Sequence, residues 1–276
     1  MKRVIVTGAN GFVGRNLVNV LIERGMFVYA VDLQFDTPHM SSWAEDMMTY
    51  IDSSCEDLPA LDADALIHAA FITASPEARN ESPEANLRAN LDPTLAMMTY
   101  ADHHNIKRSI FVSSTAVYRS SPDAVLDETV SPTPLGTYSV AKTLMEHMTD
   151  TLKTLHGRDI CTVRLGNIYG QHEYKRESRP YLSIIGQMLY SALNDHEIIL
   201  QYPAEIREWT YATDIGKAIY ALLTTDTLNH ALYNLAAGQR KSNLEIAKLI
   251  QTIIPEIEII QTDPTRPTLT RHATPD

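Results

Sequence analysis

Short apolar runs and helix-periodic stretches alternate through the first two thirds of the chain. Val4–Val6, Phe27–Val31, Ala65–Ala70, Ser109–Val112 and Cys161–Leu165 are rich in Val, Ile and Phe and end at Gly, Asp, Ser or Thr. This is the pattern of strands buried on both faces of a parallel sheet. After Gly11, Val13, Leu17, Val20 and Leu21 recur at three- and four-residue intervals until Gly25 stops the run, as in an amphipathic helix with a glycine terminator. Asn86–His104 and Tyr138–His156 show the same period, with Pro93 expected in a first helical turn. Strands alternating with helices predict βαβ units and a Rossmann-type, doubly wound parallel sheet over residues 1–166. The last third reads differently. Pro180–Leu193, Asp214–Thr224 and Asn243–Ile254 (capped by Ser242) predict helices, Ile198–Gln201 and Glu258–Ile260 short strands, and Asp263–Asp276 an irregular tail with three prolines. Residues 167–276 are therefore expected to form mainly a small α/β lobe that does not fold alone and returns some segments to the sheet.

Composition narrows the partners. The 276 residues carry a formal charge of −11, with 44% apolar and 21% charged residues, an ordinary globular mixture. The acidic balance argues against nucleic acid or an anionic membrane as partner. Two cysteines make no disulfide framework, and the N-terminal segment lacks a signal-peptide core, so a soluble, cytoplasmic protein is expected. The ten histidines fall in no metal-binding spacing, so no metal is expected.

Chemistry enters at Thr7-Gly8-Ala9-Asn10-Gly11-Phe12-Val13-Gly14, between the first strand and the first helix. Glycines there let the backbone approach a pyrophosphate, and the helix N-terminus supplies oriented N–H groups. Asp32 ends the next strand, 18 residues after Gly14. A carboxylate in that place accepts both hydroxyls of an adenosine ribose and repels a 2′-phosphate, which selects NAD over NADP. The plain alternative is a tight structural turn and a solvated aspartate.

The Gly-x-x-Gly-x-x-Gly spacing resembles the extended short-chain dehydrogenase/reductase superfamily, in particular its NAD-dependent epimerase/dehydratase branch of the UDP-galactose 4-epimerase type. Independently of that resemblance, Tyr138-Ser139-Val140-Ala141-Lys142 puts a phenol and an ammonium one helical turn apart on one face. A tyrosine titrates near pH ~10, and a neighbouring cation favours its phenolate. Such a phenolate can take a proton from an alcohol whose carbon gives hydride to the cofactor. On a surface helix the same pair is only a solvated face.

The resemblance implies further roles. Ser114, in Phe111-Val112-Ser113-Ser114-Thr115-Ala116-Val117-Tyr118, matches the catalytic hydroxyl at a strand end, so that Ser114, Tyr138 and Lys142 form the catalytic set. Thr115 is the competing hydroxyl and a candidate substrate contact. Asp52 matches an acidic contact to adenine, Ala69, Ala70 and Phe71 a segment lining the cofactor, and Asn90 an asparagine that positions the surrounding loops. With Gly8, Asn10, Gly11, Phe12, Val13, Gly14, Asp32, Tyr138 and Lys142 they make up the expected cofactor site. In the substrate lobe, Asn167 of Arg164-Leu165-Gly166-Asn167-Ile168-Tyr169-Gly170 matches a phosphate- or sugar-binding asparagine. Arg207, before Glu208-Trp209-Thr210-Tyr211, matches the arginine that grips a diphosphate, and Arg266 a second phosphate ligand. Arg164 and Asp214 read alternatively as a structural ion pair. Relatives commonly dimerise through the helices near Asn86–His104 and Tyr138–His156, so a homodimer is expected, with Leu144, Met145 and Met148 as an apolar face or as core.

The implied activity is NAD-dependent chemistry at a secondary hydroxyl of a sugar or nucleotide-sugar. An epimerase retaining NAD and a dehydrogenase of a smaller sugar or sugar acid releasing NADH are the two versions, and a non-catalytic dinucleotide sensor is a third. Thr115-Ala116 stands where dehydratases of this branch carry Asp-Glu, so a dehydratase is disfavoured at this stage. The glycine-rich turn typical before Arg207 is replaced by Gln201–Ile206, and the lobe looks short, which favours a smaller substrate. Lys175-Arg176-Glu177-Ser178-Arg179 reads as a solvated loop, with the binding of a carboxylate as the alternative.

Overall fold

The computed structural model describes residues 2–35, 45–118, 125–262 and 272–273. Strand β1 (Arg3–Thr7) leads through the glycine loop into α1 (Phe12–Glu23), then β2 (Phe27–Asp32), β3 (Met48–Asp52) and β4 (Ala65–His68). Helices α2 (Pro76–Arg79) and α3 (Pro83–His103) precede β5 (Arg108–Ser114), β6 (Val125–Leu126), α4 (Thr137–His156), β7 (Ile160–Leu165) and β8 (Asn167–Tyr169). The remainder comprises α5 (Ile184–Asn194), β9 (Glu197–Leu200), β10 (Ile206–Tyr211), α6 (Ala212–Thr224), β11 (Leu232–Leu235), β12 (Arg240–Ser242), α7 (Asn243–Ile253), β13 (Glu258–Gln261) and β14 (His272–Ala273).

Seven of these strands form one parallel sheet in the order β11-β7-β5-β4-β1-β2-β3. Alternation divides its core into two layers. Val4 and Val6 face Leu17 and Leu21 of α1 and Ile215 and Ile219 of α6, whereas Ile5, Leu66 and Phe111 face Met97 of α3 and Met145 of α4. The order reverses at β1, and both β1 and β4 end beside the glycine loop, so the C-terminal edge opens a crevice there. β11 comes from the C-terminal third but lies beside β7. A smaller cluster, Ile185, Met188, Ile198, Trp209, Ile246 and Ile250, packs α5 and α7 with β9 and β10 beyond that edge.

Two helices and one ion pair differ from the sequence expectation. α3 begins ten residues before Pro93, at Pro83, where Ser82 Oγ accepts the Ala85 N–H. Pro93 sits in the helix interior. The hydrogen bond it removes is offset by packing of Met97 and Met98 and by the Thr94 hydroxyl, which donates to the Asn90 carbonyl (2.8 Å). α5 starts at Ile184, not Pro180, because Ser183 caps it by accepting the Gly186 N–H. Arg164 and Asp214 are not partners. Arg164 binds Glu146, and Asp214 binds Lys217 (2.9 Å).

Candidate active site

The glycine loop makes its turn because Gly8 holds φ +69° and its Cα hydrogen faces the backbone after β4. A Cβ on Gly8 would stand 2.6 Å from Ala70 Cα and N, and one on Gly14 would stand 2.0 Å from the Gly8 carbonyl oxygen. Gly8→Ala is expected to cost about 2–3 kcal/mol through backbone overpacking and a left-handed conformation. A melting-temperature change under about 2 °C would contradict this.

Two adjoining cavities, of about 370 and 410 Å³, meet at this loop and share Gly8, Gly11, Ala69, Phe71, Arg176 and Ser178. Asp32 and Ala70 line the outer one, with Ser53, Ser54 and Cys55 on the β3 side. Phe12, Val13, Gly14, Ser114, Tyr138, Lys142, Asn167 and Arg207 line the inner one. The cavities form one groove from a carboxylate at one end, past exposed glycine backbone, to hydroxyls at the other. That is the shape and polarity a dinucleotide requires.

Four predicted residues do not line the groove. Asn10 is buried beneath it. Its N–H donates to Asp32 Oδ2 (2.9 Å) and its amide to the Gln34 carbonyl (2.6 Å), so it braces Asp32. Asp52 is exposed at the end of β3, and Ser53–Glu56 present the nearer surface. Asn90 clamps the loop after β4, accepting the Ile72 N–H (2.7 Å) and donating to the Ile72 carbonyl. Thr115 opens a short 3-10 turn beyond β5, and Ser114 takes the cleft side. Arg266 lies outside the described residues.

Burial pushes the Asp32 carboxyl up, while the N–H groups of Asn10 and Leu33 pull it back. Asp32→Asn removes the charge from this acceptor, with an expected loss of NAD affinity of about tenfold or more. A fluorescence titration with unchanged affinity would refute the assignment.

At the inner end, burial raises the Tyr138 phenol, and two groups oppose it: a hydrogen bond with the Ser114 side chain and the positive charge of Arg179. Lys142 lies near the tyrosine, its Nζ 5.7 Å from the ring centroid, but donates to the Val112 carbonyl (2.5 Å) and sits 3.3 Å from the Phe71 ring centroid. Burial holds the lysine well below its usual range, against the pull of Glu146. Phe71 also packs edge-on against Tyr138, at 5.6 Å. His68 lies under this wall between the Thr7 and Thr94 hydroxyls, and burial and Lys142 lower it to about 3, leaving it neutral. Burial pushes the thiols of Cys55 and Cys161 up to about 12. Among the described residues no group of three or more His, Cys, Asp or Glu gathers to hold a metal, and none of their helices is long and apolar enough to cross a membrane.

Several residues of the site went unnoticed in the sequence. Glu146, one turn beyond Lys142, receives Arg164 in a two-pronged pair (2.9 and 2.6 Å) and the Ser113 hydroxyl (2.6 Å) beneath β5. The continuing i+4 spacing from Tyr138 through Lys142 could have found it. Glu205 holds Arg207 (2.7 Å), and Arg207 also approaches Asn167 Oδ1 (3.4 Å). The stretch expected as a solvated loop lies over the groove instead: Arg176, Ser178 and Arg179 line it, because the Ser178 carbonyl accepts the N–H groups of Thr73 and Ala74 (2.9 and 3.2 Å).

The model of the NAD dependent epimerase/dehydratase family matches residues 4–236. A dTDP-4-dehydro-6-deoxy-D-allose reductase of Streptomyces bikiniensis is 26% identical, across 96% of this chain and 85% of the relative. A dTDP-glucose 4,6-dehydratase of Streptomyces niveus is 24% identical, across 90% and 76%. The structure of a UDP-N-acetylglucosamine 4-epimerase from Methanobrevibacter ruminantium M1, in complex with UDP-N-acetylmuramic acid, superimposes with a TM-score of 0.86 at 25% identity, covering 100% of this chain and 89% of that one. The dehydratase relative corrects the expectation drawn from Thr115-Ala116. Acid and base groups for an elimination can come from other walls of a cleft, so one position does not exclude that reaction.

Proposed function

Because the chain belongs to the NAD dependent epimerase/dehydratase family, we propose that it oxidises a secondary-alcohol carbon of a nucleotide-sugar, with Tyr138 as the acid/base. The reading rests on one observation: Tyr138, Ser114 and Arg207 line a single cavity continuous with the groove that begins at Asp32. Bound NAD supplies the hydride acceptor. Tyr138 takes the proton of the substrate hydroxyl, and Ser114, hydrogen-bonded to Tyr138, orders that hydroxyl. Lys142 anchors α4 to the Val112 carbonyl and sits against the Phe71 ring, which packs T-shaped on Tyr138. Arg207, braced by Glu205, meets the diphosphate, and Asn167 steadies the arginine. Return of the hydride to the opposite face of the ketone would give an epimer, and elimination of water (a C–H proton and a hydroxyl) beside the ketone, followed by return of the hydride to the double bond, would give a dehydrated sugar with the cofactor oxidised again.

NMR analysis of products tests this. Protein loaded with NAD and given UDP-glucose, UDP-galactose or dTDP-glucose is expected to convert at least one of them without an added oxidant. Turnover confined to free sugar acids, with stoichiometric NAD consumption, would overturn the reading in favour of a dehydrogenase of small substrates.

The same reading includes a homodimer through α3 and α4. Leu95 and Leu144 are 47% and 43% exposed on these two packed helices, whereas Met145 is core. A light-scattering mass of one chain would remove that part.

A further inference from the structure

The inner cavity holds two arginines built alike. Arg207 is braced by Glu205 (2.7 Å), which is 7% exposed, and Arg179 by Glu173 (2.6 Å), which is 5% exposed. Each carries a buried Nε–H with no hydrogen-bond partner among the described residues. A buried, unpaired guanidinium N–H is costly unless a ligand meets it, and one braced in a cavity wall is preorganised for an oxyanion.

Only Arg207 has a use in the reading above. Arg179 lines the same cavity, where its charge acts on the Tyr138 phenol and its guanidinium lies 5.3 Å from the Phe12 ring centroid. Its position is fixed on several sides. Glu173 accepts from Arg179 and also from the N–H and hydroxyl of Ser183 (2.6 and 2.7 Å) at the cap of α5. The Arg176 and Arg179 backbones bridge each other, and the Ser178 carbonyl is tied to Thr73 and Ala74.

We propose that Arg179 is a second anion-binding residue of the substrate site, selecting a nucleotide-sugar whose sugar moiety carries a carboxylate close to the reacting hydroxyl. The inference rests on the proposed nucleotide-sugar reading and adds the class of sugar. Arg207 takes the diphosphate. Arg179 takes the carboxylate through Nε–H, with Glu173 retaining Nη2.

The test is calorimetric binding to the NAD-loaded protein of two probes that differ only at the sugar's C6, UDP-glucuronate and UDP-glucose, with UDP as reference. UDP-glucuronate is expected to bind roughly ten- to a hundredfold more tightly than UDP-glucose. Arg179→Gln is expected to abolish that difference while leaving UDP affinity and NAD content within about twofold, and Arg179→Lys to retain part of it. Equal affinities in the unaltered protein, or a preference that survives Arg179→Gln, would overturn the inference while leaving the proposed reaction standing. So would a fall in NAD content with the preference intact, which would assign Arg179 to the cofactor's pyrophosphate. Failure of all three nucleotides to bind would instead remove the nucleotide-sugar reading itself.

Discussion

Tyr138→Phe is expected to lower turnover by about 10²- to 10⁴-fold, the range a positioned acid/base contributes, while fold and NAD content stay unchanged. The substitution removes one oxygen from a ring that still packs edge-on against Phe71. Circular dichroism and dinucleotide content after heat denaturation check the second half of the expectation. Ser114→Ala should cost less, since in the proposed reaction Ser114 orders the proton that Tyr138 transfers. The pH dependence has a defined sign. Burial raises the phenol above its ordinary value, so Tyr138 is protonated at neutral pH and its base form grows as pH rises. The oxidation step should therefore accelerate with pH through the neutral range, with no acid limb from His68, which is already neutral. A rate independent of pH from neutrality upward, or a Phe variant with full turnover, would deny Tyr138 its role.

Glu146→Ala is expected to destabilise the protein by about 3–5 kcal/mol. It strands the guanidinium of Arg164, which is 2% exposed, as an uncompensated buried charge. The arginine's remaining contacts, a hydrogen bond to the Tyr118 hydroxyl and the face of its ring, do not neutralise the charge. Ser113 loses its acceptor at the same time. Replacing both partners by apolar residues, Glu146→Leu with Arg164→Met, should recover most of the loss, because the pair costs desolvation on both sides. Chemical denaturation of the single and double variants decides it. A single variant within about 1 kcal/mol of the parent would mean that the pair contributes little.

The Rossmann sheet was readable in the sequence because its strands are buried on both faces and must be apolar throughout. The glycine loop was readable because Gly8 and Gly14 leave no room for a Cβ. The rest of the site depends on groups with no period. Pro93 looked like a helix start because local propensity disfavours an interior proline, but packing of α3 on the sheet overrides it. Arg179 lies in an irregular, polar segment, and the ties of the Ser178 carbonyl to the loop after β4, with the Glu173 pair, bring it over the groove. The Tyr138–Lys142 spacing gave the shared face but not the lysine's aim, which the Val112 carbonyl and the Phe71 ring determine. Thr115-Ala116 disfavoured a dehydratase from a single position, whereas the dehydratase relative keeps that reaction possible, because a reaction is set by a whole cleft.

The central claim is that a sugar hydroxyl carbon is oxidised in this cleft with Tyr138 holding the proton. The most direct measurement follows the absorbance of the bound nicotinamide after rapid mixing of the NAD-loaded protein with UDP-glucose, UDP-galactose, dTDP-glucose and UDP-glucuronate in turn. The account predicts that at least one of them produces the reduced-nicotinamide band in the unaltered protein, and that the band is lost or slowed at least about a hundredfold in Tyr138→Phe. No band with any of the four, or a band of equal rate in the Phe variant, would contradict it.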